Sequence, residues 1–376
     1  MPYLTGSSKR SDVNEAIDEA VSGFNASPVN FIIYFSDYNR FKEIGPAIER
    51  RFPNTTVVGA VSEKVAVRGK IYDEGLAVCG LSEDTIRTEV AVLNHASTAP
   101  VSNISAIRDA LERAGMENTV ALLINCGNTF ADDKVADCLY LSLGKYEIPV
   151  FGGSAAARAD LTSDDPFPHG LVFYHGHVLS DSSLVIFLHN NRGKVHLYSA
   201  NIYTPMGHSF QITSADARRR VVNELNNMPA ADAIAEVLDC DRDTLIKNMR
   251  YHPLGRTFGK TNLIGEAARV NDDGSIEFRV RFYNQTMVNL MEPRDYEKHF
   301  TDVVDKIKRE SGETYFTMIA SCISQAAFLE RNAWLDGLVK NFDRGLQDYI
   351  CFFPYGEQFN YVYMNQTTVF ASFTEE

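Results

Sequence analysis

Val120-Ala121-Leu122-Leu123-Ile124 is an unbroken apolar run, and Asn125-Cys126-Gly127 closes it at once. A run this short and apolar reads as a strand covered on both faces, the kind found in parallel sheets packed under helices. Before it, Ile104, Ile107, Leu111 and Ala114 fall at helical spacing; after it a helix is expected over about 133–143. Ile148-Pro149-Val150-Phe151 then runs into Gly152-Gly153-Ser154. Helix, strand, helix, strand in that order implies α/β layering with parallel pairings.

The same order occurs on either side. Earlier in the chain, Val13, Ile17, Ala20, Val21 and Phe24 mark a helix behind Asp12 and Glu15, placed as a capping box. The run Val29–Phe35 is a strand, a helix spans about 40–52, and Thr55-Thr56-Val57-Val58 enters a glycine turn at Gly59-Ala60-Val61-Ser62-Glu63. After each glycine turn a further strand is expected to open with Gly-Leu, at Gly75-Leu76 and Gly170-Leu171. Near the end, Phe300, Val303, Val304 and Ile307 share a helical face, and Tyr315–Ala320 is a strand ending in Ser321-Cys322. One helix is expected over about 326–346, then the strand Tyr349–Phe353, stopping at Pro354-Tyr355-Gly356-Glu357. Residues 183–292 interrupt this series with β-rich sequence: Pro229 opens a short helix, and Asp273-Gly274 turns a hairpin over 267–282. The expected fold is α/β, with repeated helix–strand–helix–strand units in layered mixed sheets. Two tightly packed halves, 1–190 and 191–376, carry a β-rich inserted region.

The chain has 376 residues, 45% of them hydrophobic, enough for a sizeable core and against wholesale disorder. Its net charge of −13 opposes polyanions, so nucleic acid is excluded as an expected partner. No apolar run reaches the ~20 residues of a membrane span, and no signal peptide is evident, so a soluble cytoplasmic protein without membrane insertion is expected. The six cysteines are widely spaced and read as reduced thiols, mostly in the core.

Several motifs invite a chemical reading. Gly255-Arg256-Thr257-Phe258-Gly259-Lys260-Thr261 has one residue too few between its glycines for a phosphate loop, and a hairpin rather than a helix is expected after it. His175-Gly176-His177, with His169 and His189 nearby in sequence, reads as a hairpin tip and not as a metal site. The strand ends carry more weight, because α/β sheets bind ligands beyond the carboxyl ends of their strands. Gly152, Gly153 and Ser154 offer amides and a hydroxyl; Ser321, Cys322, Tyr355, Gly356 and Glu357 add hydroxyl, thiol, phenol and carboxylate. Asn365-Gln366-Thr367, Asn284-Gln285-Thr286, Asn125 and Asn128 are amide-rich clusters that either satisfy loop backbone or line a pocket. No Gly-x-Ser-x-Gly elbow is present, and no histidine follows His299 to activate Cys322.

With these residues the chain resembles the FIST family, sensory proteins named for F-box and intracellular signal transduction. The resemblance spans about 28–190 and 195–373. It rests on Thr204-Pro205-Met206-Gly207, Phe210-Gln211-Ile212-Thr213, Met228-Pro229-Ala230, His252-Pro253-Leu254, Ser321-Cys322, Tyr355-Gly356-Glu357 and Asn365-Gln366-Thr367. It implies a signal-input module binding a small ligand, amino acids among the candidates; no cofactor or metal is expected. Its output partner is then a separate protein, such as a chemotaxis receptor or a cyclic-dinucleotide enzyme. Ile323-Ser324-Gln325 stands where family members have Gly-Arg after Ser-Cys, which removes a charge from that strand end. The expected ligand set is Gly152, Gly153, Ser154, Ser321, Cys322, Tyr355, Gly356, Glu357 and Asn365, with Glu357 suited to an ammonium group and the glycine amides to a carboxylate. A non-enzymatic sensor is the leading expectation; the alternatives are an enzyme using Cys322 and a ligand-free scaffold.

Overall fold

A computed structural model describes residues 3–24, 28–155, 170–259, 261–312 and 314–375. The contacts fall into two compact units. One comprises Met1–Ser199, Phe300–Tyr363 and Thr368–Glu376; the other comprises Ala200–His299 and Met364–Thr367.

The first unit repeats one arrangement three times. In the first repeat the strand Phe31–Ser36 lies parallel to Thr56–Val61 and antiparallel to Leu76–Leu81. In the second, Thr119–Cys126 lies parallel to Val150–Ala155 and antiparallel to Ser182–Asn190. In the third, Thr314–Ser321 lies parallel to Tyr349–Phe352 and antiparallel to Thr368–Thr374. Tyr3–Ser8, Ile86–Asn94 and Val195–Ala200 each flank the antiparallel strand on its outer side. The three sheets have six strands each because every repeat gives a hairpin to another. The first repeat's Lys64–Val67 pairs with Tyr349–Phe352 of the third, the third's Glu357–Phe359 with Val150–Ala155 of the second, and the second's Val172–Tyr174 with Thr56–Val61 of the first. The exchange forms a closed cycle, so each parallel strand is an interior strand with both edges paired.

One face of each sheet feeds a shared core. Phe35 stacks on Phe352 with ring centroids 4.5 Å apart, and Phe31, Ile124, Phe151, Phe316 and Phe373 join the same cluster. The other face is covered by helices: in the second repeat Ile107, Leu111, Val135 and Leu139 pack on Leu123, Val185 and Phe187. Local chemistry agrees with this layering. Asp12 accepts the Glu15 N–H at 2.9 Å as the cap of Val13–Ala20, and Asp37 caps Tyr38–Arg51 while pairing with Arg40. Burying whole strands of Val, Ile, Leu and Phe is the main favourable term, at about 1.5–3 kcal/mol per side chain before entropy is charged.

Several expectations are corrected. The glycines of 59 and 152–153 do not turn the chain; they lie inside the strands Thr56–Val61 and Val150–Ala155. They are there for close approach: a Cβ at Gly59 would lie 2.2 Å from the Tyr34 ring, and one at Gly152 would lie 1.9 Å from the Leu123 carbonyl oxygen. Gly75-Leu76 and Gly170-Leu171 are not equivalent, because Leu76 begins the antiparallel strand of its own repeat whereas Leu171 leads into an exchanged hairpin. The single helix of 326–346 is two helices, Ile323–Arg331 and Leu335–Gly345, broken where Ala333 takes a positive φ of 55°.

The second unit is an eight-stranded antiparallel sheet with two helices, Ala230–Leu238 and Arg242–Met249. Its longest strand, Tyr203–Asp216, carries both the Thr204–Gly207 and Phe210–Thr213 motifs. Asp273-Gly274 lies in the turn of the expected hairpin, with Val270 paired to Ile276. The phosphate-loop look-alike is also a hairpin, Leu254–Phe258 against Thr261–Gly265, with no helix leaving it; Lys260 lies outside the described residues. No helix among the described residues is long and apolar enough to cross a membrane.

Candidate functional site

The registers align three stations at the carboxyl ends of the central strands. Ser36 faces Leu76 and Val61; Asn125 faces Ser183 and Ser154; Ser321 faces Thr368. All these residues are buried, and their chemistry differs. In the first repeat the neighbours are apolar, and the Ser36 hydroxyl turns to the Asp37 carbonyl at 3.4 Å. In the third the network is closed: Ser321 and Thr368 hydroxyls meet at 2.9 Å, and Thr368 donates to Gln325 Oε1 at 2.7 Å. In the second, Ser183 donates to Asn125 Oδ1 at 2.7 Å and Ser154 donates to Asp132 in the first turn of the helix Asp132–Leu143. Asp132 is 3% exposed and Ser154 1%. Sequestering a carboxylate and hydroxyls costs several kcal/mol unless they are hydrogen-bonded, and Asp132, Ser154 and Ser183 each make such a bond.

The crossing hairpin from the third repeat brings the remaining predicted groups to the same edge. Glu357 pairs with Gly153 and Gln358 with Gly152. Ser154 N–H donates to the Gly356 carbonyl and Tyr355 N–H to the Ser154 carbonyl, both at 3.0 Å. Gly153 admits this crossing because a Cβ there would lie 2.6 Å from the Gly356 oxygen. Cys322 lies beside the same segment, its Sγ 4.0 Å from the Tyr355 carbonyl, while Ile323 N–H donates to Pro354 at 2.9 Å. Thus Gly152, Gly153, Ser154, Cys322, Tyr355, Gly356 and Glu357 are brought together, and Ser321 precedes them on its own strand. Asn365 belongs to the second unit, where its N–H donates to Ile264 at 3.0 Å and its Oδ1 accepts from Glu266 at 3.1 Å.

The cluster is not a set of free groups around glycine amides. Strand alternation puts Gly153 and Glu357 on one face and Gly152, Ser154 and Gln358 on the other. The Ser154 amide is spent on the hairpin crossing. Asp132, Ser183, Gln325, Thr368 and Gln358 escaped sequence reading. Asp132 alone left a signal, as an acid in the first helical turn, and its burial comes from tertiary packing.

Four of the six thiols are hard to ionise. Burial pushes Cys126 up to about 11, raises Cys79 and Cys351 well above the ordinary thiol value, and raises Cys138 as well. None of the six cysteines is in a disulfide, and Cys240 is the one not fully buried. His175 and Gly176 form a hairpin tip, both at positive φ, and among the described residues no cluster of three or more His, Cys, Asp or Glu could hold a metal. His169 lies outside the described residues. Two open surface clefts, about 630 Å³ beside Asp232 and Arg242 and about 560 Å³ beside Glu49 and His175, contain none of the predicted residues.

No curated protein matches the chain in sequence. A solved structure that aligns over all of both chains is a crystal structure of cyanuric acid hydrolase from A. caulinodans, 9% identical with a TM-score of 0.39; a likeness so slight carries no functional argument. Family models match where the sequence motifs lie. The FIST N domain covers residues 30–228 and the FIST C domain residues 230–360. The chain belongs to the FIST family, whose domains are sensory modules of signal transduction.

Proposed function

We propose that this protein is a small-ligand sensor acting in the cytoplasm, with its ligand held at the carboxyl ends of the second repeat's strands. The observation that supports this most is the concentration of buried polar side chains there, Asn125, Asp132, Ser154 and Ser183, with Gln358 and Glu357 from the crossing hairpin. The equivalent station in the first repeat is lined by Val61 and Leu76. The Asp132 carboxylate beside Ser154 favours a ligand bearing an ammonium group, and amino acids are the first class to test. The residues that touch it are Ser154, Asp132 and the crossing segment at Tyr355 and Gly356, with Glu357 on the opposite face of the same sheet beside Gly153, and Cys322 and Ser321 behind them. Binding without turnover is the reading: the ligand prefers one arrangement of the exchanged hairpins and so alters the surface offered to a separate output protein, a chemotaxis receptor or cyclic-dinucleotide enzyme.

A thermal-shift screen of amino acids and small carboxylates on the full chain tests it. A ligand at a hundred times its Kd adds about 2.7 kcal/mol of stability. The shift is expected to vanish in Asp132→Asn and in Ser154→Ala. A ligand whose shift survives both substitutions binds elsewhere and overturns this placement.

A further inference from the structure

The hairpin that the second repeat gives to the first, Val172–Tyr174 with His177–Leu179, ends against the helix Tyr38–Arg51 and walls a cleft of about 560 Å³. Small-molecule sites commonly enclose about 300–1,000 Å³. The seat of this hairpin is specific. Phe173 packs on Gly45 of the helix, where a Cβ would lie 2.6 Å from the ring, and the Gly176 N–H donates to Glu49 Oε1 at 3.1 Å. These two contacts bring His175, at the turn, to the wall of the cleft.

Two lining residues are poor choices for their own backbone. Pro46 stands inside the helix, where it has no amide to donate and crowds the preceding turn. His175 holds φ 47° at the first position of a two-residue turn, a place that Asn, Asp or Gly fills more readily. A third lining residue is uncommitted. Arg50 has no hydrogen-bond or ion-pair partner among the described residues, whereas Arg51 beside it is paired with Asp18 at 2.7 Å. Phe52 and Pro53 add apolar surface to the same cleft. A free guanidinium and an imidazole next to apolar walls suit an anion that carries an apolar body.

We propose that this cleft binds a small organic monocarboxylate, with Arg50 taking the carboxylate through its planar fork, His175 on the hairpin side, and the apolar body on Pro46, Phe52 and Pro53. Glu49 keeps its negative charge in the same cleft, and a phosphate dianion meets that repulsion twice over, so a carboxylate is preferred. An occupant holds the second repeat's hairpin to the first repeat's helix and so strengthens one of the three exchanges. The proposal is independent of the sensor site, none of whose residues line this cleft.

Isothermal titration of the full chain with benzoate, benzamide and phenyl phosphate tests it. Benzoate is expected to bind about tenfold more tightly than either of the others and to weaken about tenfold in Arg50→Gln, an exposed position whose change leaves the fold intact. His175→Asn, which suits the turn, should weaken benzoate by a smaller factor. Asp132→Asn should leave its affinity unchanged, because benzoate has no ammonium group for the sensor site. Absence of saturable benzoate binding, equal binding of benzamide, equal or tighter binding of phenyl phosphate, an affinity unchanged in Arg50→Gln, or a loss in Asp132→Asn overturns the proposal. Saturable benzoate binding that depends on Arg50, with no amino acid shifting the melting temperature, leaves this cleft standing and removes the sensor reading.

Discussion

Asn125 with Ser183 and Ser321 with Thr368 occupy the same station in two repeats of one fold, yet only the third repeat closes its polar network. There Thr368 donates to Gln325 Oε1, and the Ser321 and Thr368 hydroxyls bond each other. At the second station Asn125 Nδ2, and Gln358 Oε1 of the crossing hairpin, have no partner among the described residues, and the Asp132 carboxylate is buried beside Ser154. A repeated scaffold supplies its own comparison: the third station closes its hydroxyl network, and the second departs from it.

The largest expected effect lies in the packing that makes the second station. Gly152→Ala places a Cβ 1.9 Å from the Leu123 carbonyl at a residue with φ +136°, so urea unfolding should show a loss of about 3 kcal/mol or more. A loss near zero would mean that the exchanged hairpin is not held as described. Next, Thr368→Val removes the bonds to Ser321 and to Gln325 Oε1 and should cost about 1–3 kcal/mol, against less than about 1 kcal/mol for Ser36→Ala, whose hydroxyl makes a long bond only. Equal losses would erase the contrast between closed and open stations.

Thiol labelling separates the strand ends from the surface. Iodoacetamide at neutral pH should modify Cys240 first and leave Cys126, Cys79 and Cys351 unlabelled in the folded protein, read by mass spectrometry. Rapid labelling of Cys126 would instead show an open second station. The smallest effect is on pH dependence. Burial, with Arg87 beside His189 and Lys194 beside His196, lowers both imidazoles, so the unfolded chain binds more protons as pH falls through about 6.5. Stability should therefore decline below pH 6.5 by less than about 1 kcal/mol, because both rings are partly solvated. A rise on acidification would reverse the sign of this account.

Much of the first unit is legible in the sequence because its strands are buried on both faces and its helices carry apolar stripes. Val120–Ile124 and Tyr315–Ala320 announce themselves in this way. The hairpin exchange is not legible: Lys64–Val67 and Glu357–Phe359 are too short to reveal which distant strand they complete, and that choice is tertiary. The glycines misled for a related reason, since a strand glycine that admits a neighbouring chain looks locally like a turn. Of the site, Ser154, Cys322 and the Tyr355-Gly356-Glu357 crossing were visible as strand-end motifs. Asp132 and Gln358 were not, because neither burial nor an unmet hydrogen bond is written in local sequence. Helix breaking at Ala333 was equally hidden, as alanine favours helix and only packing overrides it.

Hydrogen–deuterium exchange of the full chain, with and without the amino acid or metabolite giving the largest thermal shift, tests the central claim most directly. The account predicts added protection in peptides covering 121–132, 150–155 and 355–359, with 317–325 unchanged. Protection centred on 317–325, or confined to residues 200–299, would contradict it.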